Sequence, residues 1–130
     1  MTVVEGVGRC FNRRMAVTVL VDAENVRRST WPNLSATELV ARCRDWAAHE
    51  TFSLVVVVDG DAPETADDVE GTGSRSADDR IVELAETIEG HVWVATSDRE
   101  LRERVGARAT RVIGGGTFLR LLEDYDRERG

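Results

Sequence analysis

The sequence predicts an α/β fold, a three-layer αβα sandwich around a mainly parallel central sheet. Apolar β-type runs alternate with helix-period stripes along the chain, and the connections between them are short. The run Leu54-Val55-Val56-Val57-Val58 is almost continuously β-branched, the composition of a parallel strand covered on both faces and placed mid-sheet. Right-handed crossovers then bring every strand's C-terminal end to one edge, where ligands bind in such folds.

Residues 1–14 carry no clear periodicity and read as an N-terminal extension; the folded domain is expected over 15–126, with 127–130 as a C-terminal tail. The first strand is predicted from about Met15 to Asp22. A loop holding Trp31-Pro32-Asn33 leads to Ser35-Ala36-Thr37-Glu38, a capping box that opens a helix with Leu39, Cys43 and Trp46 on one apolar face. The second strand covers about Phe52 to Asp59. From Gly60 to Arg75 the chain is rich in Gly, Ser, Thr and acid, hence a surface loop with a degenerate short strand near Val69. Ser76-Ala77-Asp78-Asp79 starts a helix striped by Ile81, Leu84, Ala85 and Ile88. The third strand, His91 to Ala95, leads to a second capping box at Ser97-Asp98-Arg99-Glu100 and a short helix with Gly106 at its C′ position. A strand at Arg111 to Ile113 and the turn Gly114-Gly115-Gly116 precede a last helix, capped by Thr117, with Phe118, Leu119, Leu122 and Tyr125 facing inward.

A chain of 130 residues fits one domain that buries roughly two-thirds of its unfolded surface. No apolar run approaches the roughly 20 residues that cross a bilayer, so no membrane partner is expected. The opening segment lacks a basic start and carries Glu5 within its apolar stretch, unlike a secretory signal, which predicts a cytoplasmic location. Cys10 and Cys43 are then expected to stay reduced. All 17 basic residues are arginine. The absence of lysine excludes a P-loop lysine, a Schiff base and the lysine that phosphoaspartate chemistry uses. A net charge of -7 opposes non-specific binding of nucleic acid over the whole surface. A local arginine rim remains open, from Arg27, Arg28, Arg75, Arg80, Arg99, Arg102 and Arg104, although ordinary solvated arginines account for the same pattern.

Acids mark the strand ends and helix starts: Asp22, Asp59, Asp78-Asp79 and Asp98. Each alone is explained by helix-dipole complementarity or strand termination. Together at one sheet edge they would repel one another unless a cation neutralised them. His49 and His91 lie outside this set, so its hard oxygen donors select Mg²⁺ or Mn²⁺ over zinc. Such an ion can orient a phosphodiester and supply hydroxide, which is nuclease chemistry. Ala66-Asp67-Asp68 repeats the Ala-Asp-Asp string but starts no apolar stripe, and reads as solvated.

Three segments resemble a known family. Val21-Asp22-Ala23-Glu24-Asn25-Val26 is similar to the Asp-Gly-Tyr-Asn-Val opening of YacP-like NYN domains, members of the PIN-like nuclease superfamily. Ser76-Ala77-Asp78-Asp79 resembles their Thr-Ala-Asp-Asp helix start, and Val94-Ala95-Thr96-Ser97-Asp98 their Val-Val-Thr-Ser-Asp segment. With Gly106-Ala107 and Gly116-Thr117-Phe118-Leu119 the similarity covers about residues 15–124. The resemblance implies a PIN-like fold and a metal-dependent ribonuclease, in the first place an endoribonuclease, acting on RNA. It implies Asp22, Asp79 and Asp98 as metal ligands, Asp78 assisting, and Asn25 orienting substrate or a metal-bound water. Asp59 matches the aspartate ending the family's second strand. Glu100 falls where related nucleases carry a further acid, and Arg27 and Arg28 are accessory candidates. The chain departs from the family at Ala23-Glu24, which replace Gly-Tyr, and in its short 60–75 segment. Two alternatives stand beside this: an NYN-type RNA-binding adaptor without turnover, and a haloacid-dehalogenase-type phosphatase built on Asp59-Gly60-Asp61, which the missing lysine opposes.

Overall fold

A computed structural model describes residues 16–129, so the expected extension over 1–14, Met15 and Cys10 lie outside the described residues. Five strands, β1 (Val17–Asp22), β2 (Ser53–Val58), β3 (Val69–Gly71), β4 (His91–Ala95) and β5 (Arg111–Ile113), form one sheet in the order β3-β2-β1-β4-β5. Every pairing is parallel. The helices are α1 (Ala23–Arg27), α2 (Ala36–Glu50), α3 (Ala77–Thr87), α4 (Arg99–Val105) and α5 (Gly115–Arg129).

Strand alternation divides the core into two layers. Val19 and Val21 of β1, with Val56 and Val58 of β2, pack on one face against α1, α2 and α5. Leu20 and Val57 point to the other, beneath Ala77, Ile81 and Ala85 of α3 and Leu101 and Val105 of α4. The sandwich is therefore three-layered, as predicted. On the first face Trp46 meets Phe52 and Phe118 edge-on, at centroid distances of 5.7 and 5.4 Å. Leu39, Cys43 and Trp46 are buried together, as the helical spacing requires, and burial pushes the Cys43 thiol up to about 12.

Several local expectations are corrected. The central strand is β1; β2 is interior but lies one place from the edge, because the short strand near Val69 does form and covers it. Residues after Asp22 form the helix α1 rather than entering a loop at once. Ser35 and Ser76 cap as expected, accepting from Glu38 N and Asp79 N at 3.1 Å each. The cap of α4 is Asp98, not Ser97: its carboxylate accepts from Leu101 N at 2.9 Å. Gly106 is the C-cap itself, in ordinary helical conformation. The last helix starts at Gly115, so Thr117 lies inside it, and it continues through Arg129 across most of the expected tail.

The loop that carries β3 is pinned rather than solvated. Arg44 on α2 holds Asp68 through two hydrogen bonds of 2.7 and 2.6 Å and reaches Glu64 at 2.9 Å, which holds the Asp68 carboxyl below its usual range. Gly71 follows the close approach of this loop to the sheet: a Cβ there would lie 2.6 Å from the Gly60 carbonyl oxygen. The ion pairs are about one-third exposed. Arg44→Ala is therefore expected to cost only about 1 kcal/mol, read as a fall of about 4 °C in Tm by thermal melting.

Candidate active site

The C-terminal edge of a parallel sheet collects the strand ends, and here it opens into a cavity of about 380 Å³ lined by Asp22, Asp59, Asp78 and Asp98. Glu24, Asn25, Arg28 and Ser29, from α1 and the turn after it, complete the lining. Asp22 ends the central strand, level with Val57 of β2. Asp59 follows β2, Asp98 follows β4, and Asp78 sits in the first turn of α3.

Each strand-end carboxylate has one oxygen committed to the fold. Asp22 Oδ2 accepts from the Thr96 hydroxyl at 2.8 Å, Asp59 Oδ1 from Ala77 N at 2.8 Å, and Asp98 Oδ1 from Leu101 N at 2.9 Å. The second oxygen of each is without a hydrogen-bond partner among the described residues. Thr96 is fully buried and works in both directions, since its Oγ1 also accepts from Asp98 N at 3.1 Å. One hydroxyl thus ties the Asp22 carboxylate to the backbone of Asp98.

Asn25 holds the adjoining turn. Its Oδ1 accepts from Ser97 N at 2.7 Å, and Ser97 Oγ accepts from Gly115 N at 2.7 Å. This packs α1, the β4–α4 turn and the start of α5 tightly enough that a Cβ on Gly115 would lie 2.4 Å from Ser29 Oγ. A side chain there would push the Ser29 hydroxyl from its hydrogen bond to the Asn25 carbonyl.

The charges are unbalanced. Asp22 is only 4% exposed, and its carboxyl is raised to about 6, first by burial and then by Asp78, Asp59 and Asp98, against the lowering effect of the Thr96 hydrogen bond. Asp78 is raised as well, by burial, then by Asp98 and Asp59, with Arg104 opposing. Among the described residues, no three His, Cys, Asp or Glu side chains are drawn together as a group that could hold a metal ion. The carboxylates share a cavity without converging on a point.

Two solved structures of Rae1 (YacP) from Bacillus subtilis match this architecture. A single-substitution mutant aligns with a TM-score of 0.70 at 24% identity, covering 88% of this chain and 79% of that one. A second structure of Rae1 aligns at 0.60 and 25% identity, covering 85% and 76%. The fold is YacP-like. It is accordingly a PIN-like fold, as the resemblance implied. No protein-family model and no curated protein matches the chain.

Within the YacP-like edge, the structure brings together Asp22, Asn25, Asp59, Asp78, Asp98 and Arg28 of the residues singled out from the sequence. Asp79 is not among the residues that line the cavity; its carboxylate pairs with Arg104 at 3.0 Å. Helical periodicity accounts for this. Asp78 precedes Ile81 by three and Ala85 by seven, on the buried stripe, whereas Asp79 precedes the half-exposed Glu83 by four. Glu100 stays outside the lining but is close enough to act on the Asp78 charge. Arg27 turns away to Glu24, at 2.9 Å, and to the Leu34 carbonyl.

The expected arginine rim is mostly neutralised by acids: Arg80 by Glu70 and Glu83, Arg75 by Glu83, and Arg104 by Asp79. Thr96, Ser97 and Gly115 were missed as functional candidates. Thr96 and Ser97 stand directly before Asp98 in a segment that carries the resemblance, and Gly115 in a glycine run, signals that mark the positions without giving them a role. Among the described residues no helix is long and apolar enough to cross a membrane.

Proposed function

We propose that the protein is a divalent-metal-dependent endoribonuclease that hydrolyses RNA phosphodiesters at the cavity formed by Asp22, Asp59, Asp78 and Asp98. One observation carries the reading. Asp22 is buried beside three other carboxylates, and its carboxyl is raised to about 6, first by that burial and then by their charges, an arrangement that a divalent cation relieves. The donors are all oxygen, with no His or Cys in the lining, and this set fits Mg²⁺ or Mn²⁺. Mg²⁺ keeps several waters and takes one or two carboxylates together with substrate phosphate oxygens. Spaced carboxylates around a shared cavity therefore suit it.

Asp22, Asp78 and Asp98 are the residues that would hold the ion, one or two directly and the rest through its retained waters, with Asp78 taking the part the resemblance gave to Asp79. When bound, the ion supplies an activated water and polarises the phosphoryl oxygen. The chain's own contribution is positional. Thr96 orients Asp22, the α4 cap orients Asp98, and the Ala77 N–H orients Asp59. Asn25 locks the Ser97 turn, and Arg28 lines the cavity in a pair with Glu24. Asp61 does not line the cavity, so the paired aspartates of a phosphatase do not face one site.

The test incubates purified wild type, Asp22→Asn and Asp98→Asn with RNA and Mg²⁺ or Mn²⁺. Cleavage by the wild type alone supports the reading; equal cleavage by all three sinks it.

An RNA-binding adaptor without turnover is favoured by one observation, that among the described residues no three carboxylates are drawn together as a metal-holding group. Glu24 lines the cavity and pairs with both Arg27 and Arg28, at 2.9 and 3.3 Å, so it occupies the cations nearest the acids. Glu24→Gln is expected to tighten RNA binding by up to about 5-fold, read by fluorescence anisotropy, because a partly exposed pair is worth at most about 1 kcal/mol.

A further inference from the structure

Trp31 is the one large hydrophobic side chain that stands exposed among the described residues, at 87%. The other two indoles are used in packing: Trp46 lies in the core, and Trp93 meets Phe52 edge-on at 5.0 Å. An indole left in water forgoes that stabilisation.

Hydrogen bonds close the segment that carries it. Leu34 N donates to the Arg27 carbonyl at 3.1 Å, and the Arg27 guanidinium donates to the Leu34 carbonyl at 3.2 Å, closing residues 28–33 into a loop with joined ends. Inside that loop, Ser29 N donates to the Val26 carbonyl at 3.0 Å and the Ser29 hydroxyl to the Asn25 carbonyl at 2.9 Å. Ser29 lines the acid cavity. Two residues of chain reach at most about 7 Å, so the Trp31 backbone stands beside the cavity mouth. Arg28, also in the lining, has a side chain 63% exposed. One short segment thus carries the Glu24-paired Arg28 and an exposed indole whose backbone lies within about 7 Å of the wall of the acid cavity.

An aromatic face recognises bases that are not already stacked in a helix. We infer that Trp31 is a stacking platform for an unpaired base adjacent to the phosphodiester at the acid cavity, a positioning contact for the RNA bound there. The inference rests on the ribonuclease reading and names a residue that positions its substrate.

The test compares Trp31→Ala and Trp31→Phe with the parent protein, both in the wild type and in an Asp98→Asn background. The probes are a short single-stranded oligoribonucleotide carrying 2-aminopurine and a blunt duplex of the same sequence. Trp31→Ala is expected to weaken single-strand binding about 10- to 100-fold, to abolish 2-aminopurine quenching and to leave duplex binding nearly unchanged. Trp31→Phe should restore most of the affinity. Unchanged single-strand affinity in Trp31→Ala overturns the inference and leaves Trp31 to a protein contact, with the ribonuclease reading intact. Equal losses on single strand and duplex overturn it too. Failure of the parent protein to bind either probe overturns the RNA reading itself, and the platform with it.

Discussion

Asp22→Asn is expected to remove RNA cleavage and, in the same protein, to raise thermal stability. Loss of a transition-state electrostatic group costs on the order of 10²- to 10³-fold in rate, and loss of a carboxylate proposed to hold the ion should do at least as much. The stability gain has a separate origin. The Asp22 carboxyl is raised from 3.8 to about 6 in the folded chain, so above pH 6 folding carries the cost of an ionised group that prefers water. At about 1.36 kcal/mol per pK unit, that cost is at most about 3 kcal/mol.

The native state binds the proton more tightly than the unfolded state. The wild type therefore gains stability through this group as pH falls from about 7 to about 4, and loses it again as pH rises through 6. An amide removes the charge, and its oxygen still accepts from the Thr96 hydroxyl. Melting curves in EDTA should show Asp22→Asn ahead of wild type by several degrees at pH 8 and level with it near pH 4. Added Mg²⁺ should raise the wild type and leave the variant unmoved. A variant no more stable than wild type at pH 8 would contradict the charge account of the site.

Thr96→Val is expected to be the most damaging conservative change. Valine has the shape of threonine, so packing is kept while two hydrogen bonds disappear. The Thr96 hydroxyl donates to Asp22 and accepts from Asp98 N, and its residue is fully buried. Its removal strands a carboxylate oxygen and a backbone N–H, at about 1–3 kcal/mol for an unsatisfied group. A loss of about 3 kcal/mol in urea unfolding at pH 7 is expected, together with a further rise of the Asp22 pKa, because the one interaction that lowers it is gone. Thr96→Ser should recover most of the stability. Full stability in Thr96→Val would show that the hydroxyl does not tie the two aspartates together.

The strands were legible because their signal is local. β-Branched runs such as Val55–Val58 and the acids that end them need no knowledge of the rest of the chain. The helix stripes at Leu39, Cys43 and Trp46, and at Ile81 and Ala85, were legible for the same reason. Element ends were less so. Asp98 outcompeted Ser97 for the α4 cap because the Ser97 side chain is taken by Gly115 N, a contact 18 residues away. The choice between Asp78 and Asp79 was open to periodicity, since only Asp78 shares the stripe of Ile81 and Ala85, while the Arg104 partner that occupies Asp79 was not.

The sequence by itself determined the fold class, the parallel sheet and the presence of acids at the ends of its strands, since these follow from periods of two and about 3.6 residues. Tertiary structure decided which carboxylates meet. Sheet order put β1 between β2 and β4, so Asp22 came to lie among Asp59, Asp78 and Asp98. Burial, and after it the neighbouring charges, then raised the Asp22 and Asp78 carboxyls. Desolvation and charge repulsion depend on distance through space, and no spacing along a chain encodes that directly.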